Sequence, residues 1–147
     1  WTDLINTHMS ARIPGEPGHF IINNYGEMFD EITANSLVKM DMDGNVLSPG
    51  GKFNNAGFII HSGVYKARQD ANCVLHTHTV NGCAVAAQKD GVLPISQQSM
   101  RFTGHLAYHE YEGLALELDE QQREVVAWDA GCSAAAARWS APRRAGT

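Results

Sequence analysis

Apolar and polar residues alternate along the first part of the chain with the two-residue period of half-buried strands. The segments 4–13 and 19–23 follow this period and are separated by the Pro/Gly-rich stretch PGEPG, which predicts a hairpin. Residues 37–47 alternate in the same way and contain Asp43-Gly44, a strong signal for a tight hairpin turn. The N-terminal part is therefore predicted to form antiparallel strands.

The middle of the chain changes to a helical period. Apolar residues recur every three or four positions over 55–68, behind asparagines that can cap a helix. The run CVLHTH, residues 73–78, then predicts a short buried strand, and Thr79 can cap a second helix that Gly91 ends. Later segments predict two short extended stretches, 91–98 and 103–113, and a third helix over 118–128.

This mixture of strands and helices predicts a layered α/β domain whose sheet is at least partly antiparallel. Residues 1–128 contain all the predicted elements and are long enough to bury a core. Residues 129–147 are rich in alanine and arginine and show no periodic apolar face. They predict a divergent, disordered tail.

Composition excludes two classes of partner. The net charge is −5 and the basic residues are scattered, so the basic surface of a nucleic-acid-binding protein is missing. No apolar run approaches the roughly 20 residues of a membrane-spanning helix, so no membrane is expected either. Cys73, Cys83 and Cys132 are odd in number and lack C-x-x-C spacing, which predicts free thiols in a reducing compartment, the cytoplasm.

The strongest chemical signal is the pair His76 and His78. In a strand, side chains two residues apart point to the same face, with Cα atoms about 6.6 Å apart. Neutral imidazole binds zinc, and histidines on a buried strand need either a hydrogen-bond partner or a metal. The spacing alone is weak evidence because the chain has seven histidines. Metal ligation and ordinary hydrogen bonding therefore both remain open.

A catalytic metal site needs three protein ligands and one open position. Besides this pair, the chain has five histidines: His8, His19, His61, His105 and His109. Each is interpreted as an ordinary, partly buried histidine. The sequence pattern therefore leaves the third ligand unassigned.

Three stretches around the histidine pair resemble the class II aldolase/adducin family, in particular its adducin-like branch. They are NNAGFIIHSGVYKARQDANCVLHTHT, NGCAVAAQKDGVLPISQQSM and YHEYEG, with weaker similarity over residues 1–46. The resemblance implies a three-layer α/β/α sandwich with a mixed, largely antiparallel sheet. It also implies a homo-oligomer, usually a ring-like tetramer, with active sites between subunits.

In the aldolases of this family, two histidines of such a strand and a third from a later motif hold a zinc ion. His76 and His78 match the first two positions, so the resemblance implies that they bind Zn²⁺ or another divalent metal. The metal acts as a Lewis acid and stabilises the enediolate that forms when a carbon–carbon bond breaks.

The chain departs from the aldolase pattern at three places. No histidine follows Trp128, where the third ligand is expected, and Gly57 stands where the aldolases place an acid/base glutamate. The stretches THMS and NNYG replace the glycine- and threonine-rich loops that hold a sugar phosphate. The family match is thus incomplete at both ends, and the metal site is predicted to be incomplete.

The polar segment YHEYE offers a replacement for the missing acid/base. Tyr108 and Glu112 are candidates because a tyrosine or a carboxylate near a metal transfers protons when its pKa is shifted. The alternative interpretation is that they are solvated loop residues.

The leading hypothesis is a metal-dependent lyase that cleaves a carbon–carbon bond of a small hydroxycarbonyl substrate. One alternative is a non-catalytic, adducin-like binding or assembly module, which the glycine at position 57 favours. A second alternative is a metal-dependent decarboxylase, because loss of carbon dioxide leaves a similar enolate.

Overall fold

Four strands of the N-terminal part form an antiparallel sheet in the computed structural model, which describes residues 3–110 and 134–138. The strands are β1 (His8–Ile13), β2 (Glu16–Ile22), β3 (Val38–Asp41) and β4 (Cys73–His76), in the order β3-β2-β1-β4. The two predicted hairpins are confirmed. Gly44 adopts a φ of 93° in the turn after β3, where Met40 and Val46 form an isolated bridge.

Helix α1 (Asn55–Ala67) covers one face of this sheet and confirms the predicted helix over 55–68. The side chain of Asn54 caps it by accepting a hydrogen bond from the backbone N–H of Ala56 at 3.1 Å. The buried hydrophobic residues between α1 and the sheet form one cluster: Phe20, Ile22, Val38, Met40, Phe58, Ile59, Val64, Tyr65 and Val74.

Arg12 of β1 holds the C-terminal end of α1 against the sheet. Its guanidinium donates to the backbone carbonyls of Tyr65 at 2.6 Å and Ala71 at 2.8 Å. It also lies 4.6 Å from the centre of the Tyr65 ring. A cation at this position satisfies carbonyls that a helix end leaves without partners, and complements the helix dipole.

Strand β4 lies at the edge of the four-stranded sheet, which corrects part of the sequence interpretation. Val74 is 8% exposed and packs in the core, but Leu75 is 51% exposed. The prediction that both residues are buried is wrong for Leu75, because alternate side chains of a strand point to opposite faces and only one face meets α1. β4 also ends at His76, so His78 follows the strand rather than belonging to it.

The second predicted helix begins where expected but is shorter. Thr79 caps α2 (Val80–Ala86), and Ala87, not Gly91, closes it. None of the α2 residues is buried, so packing does not extend the helix. The stretch 91–98, predicted to be extended, contains the start of α3 (Gln97–Met100), because Ser96 and Ser99 form a reciprocal capping box.

Two strands from the later part of the chain form a separate parallel pair. β5 (Leu106–Glu110) confirms part of the predicted extended stretch 103–113 and pairs with β6 (Ala134–Arg138). These last five residues belong to the segment predicted to be a disordered tail, and backbone pairing with β5 orders them as a strand. The predicted helix over 118–128 lies outside the described residues, and the domain boundary at 128 stays a prediction.

Two further features concern the predicted surroundings of the protein. Among residues 3–110 and 134–138, no helix combines the length and the apolar character that crossing a membrane requires. Cys73 and Cys83 are free, exposed thiols, whereas Cys132 lies outside the described residues.

Candidate metal centre

The imidazoles of His76 and His78 meet at the end of β4. Their Nε2 atoms lie 2.8 Å apart, and the rings are steeply inclined, with centroids 4.7 Å apart and an interplanar angle of 74°. Two nitrogen ligands of a tetrahedral zinc ion are separated by roughly 3.3 Å, given bonds of about 2.0–2.1 Å. The two nitrogens therefore face one another at hydrogen-bond distance, and they would have to move apart by about 0.5 Å to share a tetrahedral zinc ion.

Asp3 fixes the orientation of His78 from the opposite side of the ring. Its Oδ2 lies 2.5 Å from Nδ1 of His78, and this hydrogen bond is the main reason that the pKa of Asp3 is lowered. In the tautomer that donates Nδ1–H to this carboxylate, Nε2 of His78 carries a lone pair, which faces Nε2 of His76. A carboxylate, a histidine and a cation in this order are the usual arrangement around metal-binding histidines.

His8 of β1 lies directly opposite His76 across the β1–β4 ladder. The two rings are stacked, with centroids 4.5 Å apart and an interplanar angle of 12°. A bound metal ion lies near the plane of each imidazole that ligates it, and two stacked, nearly parallel planes have no such point in common. In this geometry, His8 supports His76 from behind but does not share its cation.

Behind His8, a chain of hydrogen bonds runs into the core. Nδ1 of His8 lies 2.8 Å from Nε2 of His61, and Nδ1 of His61 lies 2.5 Å from Oγ of Ser10. Ser10 Oγ lies 2.8 Å from the hydroxyl of Tyr65. Each of these side chains is at most 3% exposed, so the chain is shielded from solvent. We refer to His8, His61, Ser10 and Tyr65 as the buried chain.

Burial favours the neutral form of three histidines, His8, His61 and His76. It lowers the pKa of His76 to about 4 and that of His8 to about 3, and the neighbouring histidines lower both further. Burial likewise holds the pKa of His61 well below its ordinary value. Neutral imidazole is the form that binds metal, so His76 is ready to act as a ligand at neutral pH.

The described residues provide two converging ligands rather than three. Within 3–110 and 134–138, no group of at least three His, Cys, Asp or Glu side chains is arranged to hold one metal ion. His19 lies elsewhere, on β2, with Nδ1 2.9 Å from a carboxylate oxygen of Glu16. The donor set therefore fits two of the three protein ligands of a catalytic zinc site.

Of the two predicted acid/base residues, Tyr108 belongs to the described part of the chain. The Tyr108 hydroxyl accepts a hydrogen bond from the backbone N–H of Val92 at 2.6 Å, beside Gly91. Glu112 lies outside the described residues. The catalytic roles of Tyr108 and Glu112 stay predictions.

The sequence interpretation did not identify Asp3 or the buried chain as parts of the site. His8 was interpreted as an ordinary histidine, although its spacing from Ser10 predicts that the two share one face of β1. Asp3 precedes the first strand, and no local sequence pattern predicts its contact with His78, because the two residues are distant in sequence.

The chain is similar to aldolase-like and adducin proteins. The family described as Class II Aldolase and Adducin N-terminal domain matches residues 1–138. A Caulobacter vibrioides protein named after class 2 aldolases is 54% identical over 127 residues, which make up 86% of this chain and 49% of the relative. Alpha-adducin of Rattus norvegicus is 41% identical over 124 residues, which make up 82% of this chain and 17% of that protein.

Two solved structures show the same fold. A crystal structure of an aldolase II superfamily protein from Pseudomonas syringae has a TM-score of 0.87 and 54% identity, and the match covers 94% of this chain and 56% of that one. L-fuculose 1-phosphate aldolase from Glaciozyma antarctica PI12 has a TM-score of 0.78 and 25% identity, with 92% and 52% covered. The predicted α/β fold with a mixed, largely antiparallel sheet and the predicted family are confirmed. The chain spans about half the length of the bacterial relatives it matches.

Proposed function

Because this chain belongs to the class II aldolase and adducin family, we propose that it carries the metal-binding part of a lyase. The proposed reaction is cleavage of a carbon–carbon bond in a small hydroxycarbonyl substrate. The observation that carries the proposal is the convergence of the His76 and His78 Nε2 atoms to 2.8 Å. A bound Zn²⁺ or related divalent cation would supply Lewis-acid stabilisation of the negative charge that develops on the substrate.

The chain's own residues would prepare this site in two ways. Asp3 holds the tautomer of His78 that leaves Nε2 available, and burial keeps His76 neutral. Both effects favour the ligand form of imidazole before any metal binds.

Tyr108 and Glu112 are the proposed proton-transfer groups, and the hydrogen bond that the Tyr108 oxygen accepts from Val92 would stabilise the phenolate formed when Tyr108 gives up its proton. A homo-oligomer, a tetramer by family resemblance, is also proposed, and a cytoplasmic location remains the expectation from the free thiols.

The second candidate function is a non-catalytic binding or assembly module of the adducin kind. Two observations favour it: position 57 is a glycine, and alpha-adducin of Rattus norvegicus is 41% identical over the matched residues. Glycine has no group that can take a proton or bind a metal, so the aldolase acid/base is absent from α1. A decarboxylase is a third candidate, because the same charge stabilisation serves loss of carbon dioxide.

The test of the metal centre is calorimetric titration of the chain with Zn²⁺. We expect one site per chain, abolished by His76→Ala and by His78→Ala. His19→Ala is the matched control, since it removes an imidazole that lies on β2 beside Glu16. Equal zinc binding by all four proteins would remove the metal centre from the proposal.

The test of the reaction is a panel of sugar phosphates and β-keto acids with the zinc-loaded protein. Aldol cleavage that disappears in the histidine variants supports the lyase. Release of carbon dioxide instead supports the decarboxylase. Zinc binding with neither reaction, together with an oligomer or protein partner that survives the histidine substitutions, supports the adducin-like module.

A further inference from the structure

The space that an acid/base side chain at position 57 would enter is filled by His8. A Cβ atom built on Gly57 would lie 3.0 Å from Cδ2 of His8 and 3.1 Å from both its Cγ and its Nε2. These distances are tighter than about nine in ten real Cβ contacts, so a side chain at position 57 would push the His8 ring by a few tenths of an ångström. A glutamate at position 57 would therefore start against the His8 ring and would have to displace it.

His8 reaches this position from a different element than the residue it displaces. Gly57 is in the first turn of α1, whereas His8 begins β1 and is paired with His76 in the sheet. The ring of His8 is thus enclosed on two sides, by the α1 backbone at Gly57 and by the stacked ring of His76. A third contact, the hydrogen bond to His61, fixes its rotation.

Exposure decides what kind of role such a residue can have. His8 is 3% exposed, so it lacks the access to a substrate that a proton-transfer group needs. Its stacked geometry also prevents it from binding the cation that His76 would bind. What remains is control of the plane and rotation of His76, on which the direction of the His76 Nε2 lone pair depends.

We propose that His8 is a positioning residue of the metal centre, held by His61, Ser10 and Tyr65, and that it replaces the side chain missing at Gly57. This inference rests on the proposed metal-binding function. It predicts that position 57 is glycine here because His8 needs the space, so the two positions are coupled.

The hydrogen bonds that link the residues of the buried chain support this role. Hydrogen bonds can run through His61 in only two directions, because a neutral imidazole has one N–H and one lone pair. Either direction gives both ring nitrogens of His61 a partner inside the core. The hydrogen bond at Nδ1 and the stack on His76 act on the same ring, so together they restrict its orientation.

The test compares Co²⁺ binding, with its visible ligand-field spectrum, across four variants. His8→Ala removes the ring, and we expect about tenfold weaker binding and an altered spectrum. His8→Phe keeps an aromatic ring against His76, and we expect affinity within about threefold of the original chain and the original spectrum. Gly57→Ala keeps every imidazole but displaces His8, and we expect a few-fold loss.

Val38→Ala is the matched control for general destabilisation. Val38 is buried in the same core but on β3, at the opposite edge of the sheet from β4. Its Co²⁺ affinity and spectrum should match those of the unsubstituted chain. If His8→Ala also matches, the proposal for His8 is overturned. If His8→Ala does not fold, Gly57→Ala replaces it in this test. A Co²⁺ affinity and spectrum of Gly57→Ala that match those of the unsubstituted chain would then overturn the proposal.

A metal-free measurement separates this proposal from the proposed function. The ¹⁵N shifts of the His76 ring report its tautomer and hydrogen bonding without any cation. If the unsubstituted chain binds no Co²⁺, the metal centre fails. In that case, a changed His76 signal in His8→Ala still supports the positioning role, whereas an unchanged signal overturns it.

Discussion

The interaction between Asp3 and His78 makes a quantitative prediction about metal affinity. Asp3→Asn removes the negative charge but keeps an oxygen that can accept the hydrogen bond from Nδ1 of His78. The substitution should therefore preserve the orientation of the ring while removing its electrostatic support. Asp3→Ala removes both, and its effect should be larger.

The size of the effect follows from the geometry. A cation on Nε2 of His78 would lie roughly 6 Å from the Asp3 carboxylate, given the 2.5 Å hydrogen bond, a ring about 2 Å across and a metal–nitrogen bond of about 2 Å. In a water-like dielectric, the attraction between a charge of +2 and a charge of −1 at that distance corresponds to about a tenfold change in a binding constant. Because the Asp3 side chain is 45% exposed, the water-like value applies, and Asp3→Asn should weaken Zn²⁺ binding about tenfold.

Calorimetric titration with Zn²⁺ at about 0.1 M salt and pH 7 measures this difference. Asp43→Asn is the control, since it makes the same charge change in an exposed turn after β3, at the far edge of the sheet. We expect Asp3→Ala to lose between tenfold and about a hundredfold. Affinities for Asp3→Asn and Asp43→Asn that agree within twofold would refute the reasoning that Asp3 supports the ligand.

Three further predictions concern the stability of the fold, each measured by urea denaturation. Burial lowers the pKa of His8 to about 3 from an ordinary 6.5, so the unfolded chain takes up a proton that the folded chain excludes. The free energy of unfolding should therefore fall as the pH drops from 6.5 toward 3. In His8→Phe this fall should be less steep. Arg12→Lys should cost about 1–3 kcal/mol, because an ammonium group cannot serve the carbonyls at the end of α1 that the guanidinium binds; unchanged stability would contradict this. Gly91→Ala should be more destabilising than Gly15→Ala, since both have positive φ but only at Gly91 would a Cβ meet the Tyr108 hydroxyl. Equal losses at the two glycines would show that Tyr108 yields freely.

Local signals in the sequence were sufficient for the elements that form the core. The hairpin at Asp43-Gly44 and the helix α1 behind Asn54 follow from turn chemistry, capping and apolar period, which act over a few residues. The pairing of His76 with His78 was also predictable, because neighbours two apart on an extended segment share a face. Such features depend only on residues close together in the chain.

Contacts between distant parts of the chain were decided by the tertiary structure alone. Asp3 meets His78 across 75 positions and His8 meets His61 across 53, and no local pattern encodes either pair. The early end of α2 has the same origin, because a helix with no buried residue gains nothing from packing and stops where its own hydrogen bonds stop. Residue types and local spacing thus determined which two imidazoles meet at the end of β4. The folded sheet determined which groups orient them, since orientation depends on neighbours that only folding brings together.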